Sequence, residues 1–183
     1  MQKNKAMDIA ELLNNKNIKP KLKTETLSNW LLDKTISTDQ LIQFATNSKD
    51  ALKATCIEAI EFATKQQPDI LKISDLDFII LCLEAKAPRI KWESAKVIAN
   101  TIHLFPEKTE LSINHLLHNT EHPGTVVRWS AAMALGEIIK LKTVVNKNLL
   151  PAVNAILQRE EKNSVKKIYL AALKKANILF SSL

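Results

Sequence analysis

A recurring stretch of amphipathic sequence constrains the fold of this chain more than any other feature. Residues 90–99 and 127–136 match each other, and each has a tryptophan at its third position. A third copy begins at Val165 and a weaker one at Leu52, so successive copies lie 37 or 38 residues apart. Another short amphipathic segment precedes each copy. A helix pair recurring at this interval is typical of an α-solenoid, because neither helix can bury its apolar face alone.

Helical spacing extends over nearly the whole chain, with apolar residues three and four positions apart and no alternating strand pattern. Only two of the 183 residues are glycines, which leaves little for tight hairpins or phosphate-binding loops. We expect Thr38 and Asp39 to cap the third helix, and Ser74 and Asp75 to cap the fifth. The spacing predicts ten helices, near residues 6–15, 20–33, 37–47, 50–65, 74–86, 88–104, 108–120, 124–141, 147–160 and 163–179.

One of the repeated segments resembles a known family. In residues 125–136 an apolar–arginine pair, Val127–Arg128, precedes a run of small residues that ends in Ala134-Leu135-Gly136. This pattern resembles the second helix of the HEAT-repeat (armadillo/HEAT-like α-solenoid) family, and the resemblance covers about residues 37–179. It implies that the second helices line a concave surface that binds a partner. It implies no reaction, because HEAT arrays serve many functions.

We therefore predict an all-α fold, a right-handed α-α superhelix of about five helix pairs. The chain would form a single HEAT-like repeat domain, 1–183. Residues 1–35 depart from the pattern and would form an atypical N-terminal capping helix pair, whereas 37–179 would form the repeats.

The helical phase of residues 125–140 divides the second helix into two faces. One face is predicted to be buried and carries Val127, Ala131, Ala134, Leu135 and Ile138. The other face, with its equivalents in neighbouring repeats, would bind the partner through Trp92, Lys96, His103, Trp129, Met133, Lys140 and Lys167. The two tryptophans have two interpretations: exposed aromatic platforms, or rings packed between repeats with only their edges exposed.

The formal charge of +7 and the pI of about 9.4 favour anionic partners. A protein partner is our first expectation, and a nucleic acid in a basic, tryptophan-containing groove is the alternative. The fold class, pI and tryptophan usage are similar to those of HEAT-like alkylpurine DNA glycosylases. However, no aspartate can be placed beside Trp92 or Trp129 on the concave face. We therefore expect a non-catalytic scaffold rather than an enzyme.

Four cations recur once per repeat, at Lys53, Lys91, Arg128 and Lys166. They could form a phosphate track. HEAT proteins, however, commonly place a cation here to bond the acidic or carbonyl groups of neighbouring turns. The resemblance therefore favours a structural role for these four residues.

The remaining candidates for chemistry are weak. His115, His118 and His122 have helical spacing that could bind zinc, but a solvated polar face is the better interpretation, so we predict no metal and no cofactor. Cys56 and Cys82 lie in apolar stretches, which suits reduced buried thiols in a cytoplasmic protein. We expect no signal peptide and no membrane-spanning segment.

Overall fold

Ten helices make up the described part of the chain. The computed structural model describes residues 8–178. Short 3₁₀ turns at Pro68–Ile70, Ile102–Leu104 and Pro106–Lys108 connect some of the helices. The helices are α1 (Ile9–Asn14), α2 (Pro20–Leu32), α3 (Thr38–Thr46), α4 (Asp50–Gln66), α5 (Ile73–Cys82), α6 (Pro88–Thr101), α7 (Thr109–Asn119), α8 (Thr125–Lys140), α9 (Asn146–Arg159) and α10 (Asn163–Lys175).

The predicted helices are all present, and most boundaries agree within one or two residues. Two helices end four residues early, α5 at Cys82 and α10 at Lys175. In α10 the reason is a residue in the left-handed region, Asn177 with φ 58°, which ends the helical path. Residues 6, 7 and 179 of the predicted helices lie outside the described residues.

The predicted caps were wrong at two helices. The N-cap of α3 is Ser37, whose hydroxyl accepts the backbone N–H of Gln40, while the Gln40 side chain accepts the Ser37 N–H. Thr38 is the first helical residue, and its hydroxyl donates to Asp75 Oδ2 over 2.6 Å. The same carboxylate accepts the N–H of Lys72, so α5 begins at Ile73 instead of after Ser74. The contact between Thr38 and Asp75 joins neighbouring repeats, which helical pattern alone does not reveal.

The helices form five consecutive pairs in two layers. The second helices α2, α4, α6, α8 and α10 stack in that order, and they pack more closely on one another than the first helices α1, α3, α5 and α7 do. The array is therefore narrower along the second-helix layer and curves toward it. This arrangement confirms the prediction of an α-solenoid.

Apolar side chains from both layers form one continuous core. All five residues of the predicted buried face of α8 lie in it or beside it, since Val127, Ala131, Ala134, Leu135 and Ile138 are buried. Cys56 and Cys82 are buried free thiols, and burial raises their pKa values to about 12 and about 11. Between residues 8 and 178, every helix is too short or too polar to cross a bilayer.

Candidate functional site

The second-helix face, meaning the exposed side of α4, α6, α8 and α10, holds the predicted binding residues. Trp92 and Lys96 lie on α6, and Trp129, Met133 and Lys140 lie on α8. Lys167 lies on α10, and His103 lies in the 3₁₀ turn that follows α6, where its side chain is exposed. Two environments stand out: a polar ion network where α4 meets α6, and an open groove between α8 and α10.

The two tryptophans differ in exposure. Trp129 exposes 37% of its surface, whereas Trp92 is half-buried. The indole N–H of Trp92 donates to Glu93 Oε1 over 2.6 Å. Trp92 is not among the partly buried apolar side chains that pack against the buried core. Trp129 therefore suits the exposed interpretation, while Trp92 is tied by its polar edge to a neighbouring carboxylate.

Lys96 is the centre of an ion network at the α4–α6 junction. Its Nζ lies 3.2 Å from Glu61 Oε2 and 3.0 Å from Glu93 Oε2, and both glutamates are 3% exposed. Burial raises the pKa of Glu61, partly offset by Lys96. Although burial opposes the ammonium form, Glu93 and Glu61 hold the pKa of Lys96 above its usual value. Two carboxylates thus neutralise the cation that the sequence placed on a basic groove.

Further polar contacts close the same junction. Asn100 on α6 donates to the carbonyl of Glu61 and to Thr64 Oγ1, both over 3.2 Å. Arg89 pairs with Glu58 over 2.8 Å, and Glu58 also accepts the hydroxyl of Thr24. Sequence analysis missed Arg89, Glu61 and Asn100 as members of this surface, because their partners lie about 30–40 residues away in the chain. The repeat interval of 37–38 residues is the one signal that could have related them.

Met133, Lys140 and Lys167 come together in an open groove between α8 and α10. The groove has a volume of about 330 Å³. Gly136 allows the close approach of the helices at its base, since a Cβ there would lie 3.2 Å from the Cβ of Ala172. The floor is apolar, and the groove is lined by Met133, Gly136, Glu137, Lys140, Lys167, Ile168, Ala171, Ala172 and Lys175.

The charges around this groove are unequal. Lys140 pairs with Glu137 on the same helix, one turn away. Lys167 and Lys175 are exposed and make no ion pair or hydrogen bond with residues 8–178. One carboxylate thus faces three ammonium groups, which leaves an apolar groove with a positive rim. Such a rim can hold an anionic group beside a buried apolar one.

The histidines do not form the metal cluster that their spacing could have allowed. α7 ends at Asn119, so His122 lies in the following turn and not on the helix of His115 and His118. The Nδ1 of His122 accepts the N–H of Gly124 over 2.9 Å, and His115 Nδ1 lies 3.1 Å from Glu84 Oε1. From residue 8 to residue 178, no group of three or more His, Cys, Asp or Glu side chains is placed to hold a metal.

Two members of the cation ladder have the expected structural role at the turn edge, where each first helix turns into its second helix. Lys91 Nζ donates to the carbonyl of Leu83 over 2.7 Å and to Asn119 Oδ1 over 2.8 Å. Arg128 donates to the carbonyl of His122 over 2.9 Å and to both carboxylate oxygens of Glu160. Each cation thus links the turn of its own pair to the end of the first helix of the next pair.

Comparison with known proteins supports the fold and goes no further. No protein-family model and no curated protein sequence matches the chain. Its structure is similar to that of a computationally designed armadillo repeat protein for modular peptide recognition, with a TM-score of 0.71 and 16% identity over 91% of this chain and 80% of that one.

Two other solved structures are similar to the same extent. A designed armadillo repeat protein in complex with the peptide (KR)4 has a TM-score of 0.68 and 17% identity, over 92% of this chain and 80% of that chain. A chain of the complex of CpcE and CpcF of phycocyanin lyase from Nostoc sp. PCC7120 has a TM-score of 0.65 and 18% identity, over 90% and 94%. Because the sequence identity is this low, these similarities establish the fold alone, an armadillo-like helical repeat solenoid.

Proposed function

We propose that this protein is a non-catalytic HEAT-type scaffold that binds a segment of a partner protein across its second-helix face. The observation that carries the proposal is the groove between α8 and α10, with its apolar floor and with Lys167 and Lys175 at its rim. Trp129 lies on the same face of α8 and supplies a large rigid contact surface. The bound segment would present an apolar side chain to the floor and acidic residues to the lysines.

The similar designed proteins support a peptide-binding role, since one is described for peptide recognition and another is bound to the peptide (KR)4. That peptide is cationic, and the positive rim of this groove would repel it. We therefore propose an acidic partner segment instead of a basic one.

The pairing of the cations favours a protein over a nucleic acid. A nucleic-acid groove needs a continuous positive stripe along the backbone path. On this face Arg89, Lys96 and Lys140 are each paired with a glutamate. Exposed lysines without an ion pair or hydrogen bond to residues 8–178 lie at the two ends of this face, Lys65 on α4 and Lys167 and Lys175 on α10. The paired cations lie between them, so the free positive charge does not form a continuous stripe.

Selection from a random-peptide display library tests the proposal. We expect enriched peptides to combine acidic and large apolar residues. Fluorescence anisotropy of a synthesised enriched peptide should then show at least about tenfold weaker binding to Lys167→Glu and to Met133→Asp. Lys147→Glu, an exposed lysine on α9 with the same change of charge, is the control and should bind normally.

Two results would overturn the proposal. One is the enrichment of no peptide, or of peptides whose binding is insensitive to the changes at Lys167 and Met133. The other is salt-sensitive binding of a poly-dT oligonucleotide that depends on Lys167 and is stronger than binding of any enriched peptide. The second result would assign nucleic-acid binding to the groove.

A further inference from the structure

The cation ladder is incomplete at Lys53 and at Lys166. Lys166 lies on α10, the last described helix, whereas Lys53 is followed by further helix pairs that could supply an acceptor. Lys53 on α4 is equivalent to Lys91 and Arg128, yet it makes no hydrogen bond or ion pair with residues 8–178. At the other two positions the first helix of the next pair supplies an acceptor, the amide of Asn119 or the carboxylate of Glu160. The residue 37 positions before Asn119 is Cys82, at the end of α5.

Cys82 cannot replace those acceptors. Its thiol is buried, and burial raises its pKa to about 11, so the sulfur stays protonated and uncharged. A thiol accepts hydrogen bonds weakly compared with an amide or a carboxylate. Lys53 and Cys82 line the same pocket, which places the lysine side chain near the end of α5. The cation and the space for its partner are therefore present, but the internal acceptor is not.

A pocket of about 480 Å³ lies at this position of the turn edge. Phe78 and Leu81 contribute apolar walls, and Leu81 exposes 63% of its surface. Lys53 and Lys86 contribute two positive charges against one carboxylate, that of Asp50. The combination is an open apolar pocket with a net positive charge and an unpaired ammonium group.

We propose that this pocket, the Lys53 pocket, binds an acidic side chain of a partner protein together with a neighbouring apolar side chain. The partner's carboxylate pairs with Lys53, as the Asn119 amide pairs with Lys91 and the Glu160 carboxylate pairs with Arg128. The apolar side chain packs on Phe78 and Leu81. Because the pocket lies at the turn edge, it is a separate site from the groove between α8 and α10, and neither site requires the other.

A titration of the protein with two blocked tripeptides, followed by NMR chemical shifts, tests the proposal. Acetyl-Glu-Leu-Leu-amide should shift the resonances of residues around Phe78 and Leu81. The isosteric acetyl-Gln-Leu-Leu-amide should bind about tenfold or more weakly, because a charge-assisted hydrogen bond is lost. Lys53→Met should cause the same loss for the glutamate peptide, whereas Lys147→Met on α9 should have no effect.

A second variant supplies Lys53 with a hydrogen-bond acceptor from the chain itself. Cys82→Asn places an amide at the position equivalent to Asn119, so Lys53 gains an internal acceptor and the glutamate peptide should bind several-fold more weakly. Cys82→Ser, whose hydroxyl is too short to act as that acceptor, should bind the peptide like the wild type. If Cys82→Asn does not fold, the comparison of Lys53→Met with Lys147→Met still decides the matter.

Three results would overturn the proposal: no saturable shifts around Phe78 and Leu81, equal affinity for the two tripeptides, or unchanged affinity in Lys53→Met. Hexanoate is the control for the source of the carboxylate. Binding of hexanoate without binding of the glutamate peptide would assign the pocket to a small apolar acid and would reject the protein segment.

Discussion

The α4–α6 and α8–α10 junctions occupy equivalent places on the second-helix face but are built differently. Polar side chains join α4 to α6, through the ion network of Lys96 with Glu61 and Glu93. Between α8 and α10 the contact is the close approach of Gly136 to Ala172, and no side-chain hydrogen bond joins these two described helices. The polar side chains of the α4–α6 junction bond to one another and hold the repeats together. Lys167 and Lys175, beside the α8–α10 junction, stay available to a partner.

The largest expected effect is a difference in stability loss between a variant of the α4–α6 junction and a variant of the α8–α10 junction. Lys96→Ala leaves Glu61 and Glu93 buried without a counter-charge, so the free energy of unfolding should fall by about 3 kcal/mol at pH 7. Lys140→Ala should cost less than about 0.5 kcal/mol, because its partner Glu137 is more than one-third exposed. Urea denaturation of both variants measures the difference, and equal losses would contradict the comparison.

The pH dependence of Lys96→Ala sharpens this prediction. Burial raises the pKa of Glu61, so the folded state takes up a proton at a higher pH than the unfolded chain does. A protonated Glu61 needs no counter-charge. The stability lost in the variant should therefore be partly recovered as the pH falls from 7 toward the ordinary glutamate range.

The next effect concerns the close approach of α8 and α10. Gly136→Leu forces a side chain against Ala172, and overpacking of this kind should lower the free energy of unfolding by about 2 kcal/mol. Ala171→Leu is the matched control, since Ala171 is exposed in the same groove and should change stability by less than about 0.5 kcal/mol. Thermal unfolding followed by circular dichroism distinguishes the two variants. An equally stable Gly136→Leu protein would show that the junction is loosely packed.

A smaller effect is expected at the turn edge, where Arg128 and Glu160 link the last two pairs. Glu160→Gln should cost about 1.5 kcal/mol at pH 7, because it weakens a charge-assisted hydrogen bond. The hydrogen bond from Arg128 holds the pKa of Glu160 below its usual range. The contribution is therefore complete above the ordinary glutamate pKa and is lost as the pH falls through the lower folded value.

Urea denaturation at decreasing pH should accordingly show the wild type and Glu160→Gln converging in acid. Glu161→Gln, which changes an exposed neighbour of the same charge, is the control and should stay within about 0.5 kcal/mol of the wild type. A difference between wild type and Glu160→Gln that grows in acid would reject this role for the Arg128–Glu160 pair.

The smallest effect on stability is expected at the tryptophans. Trp129→Ala should cost about 1 kcal/mol or less, because Trp129 is the more exposed of the two tryptophans and its indole makes no hydrogen bond with residues 8–178. Trp92→Ala should cost about 1 kcal/mol, since its N–H bonds the buried Glu93. Only Trp129→Ala should weaken binding of a peptide selected for the α8–α10 groove. A loss of several kcal/mol in Trp129→Ala would mark the ring as structural.

The binding residues proposed from the sequence lie on the predicted helices, except His103 in the 3₁₀ turn after α6, but their polar partners were not predicted. Helical phase placed Lys96 on the second-helix face, yet its role depends on Glu61, which lies on a different repeat. Lys167 and Met133 were assigned to the same face, and the structure brings them into one groove. The absence of an internal acceptor for Lys53 could be recognised only by comparing its position in space with the equivalent positions of Lys91 and Arg128.

The sequence by itself determined the ten helices, their pairing and the buried face of α8, because the spacing of apolar residues and the repeat interval are local properties of the chain. The tertiary structure decided which polar residues remain available. Whether Lys96, Lys140, Lys91 or Lys53 carries a free charge depends on carboxylates and amides from other turns and other repeats. Those distances arise only when the repeats stack, which is why the sequence could predict a candidate face but not which of its charges remain free.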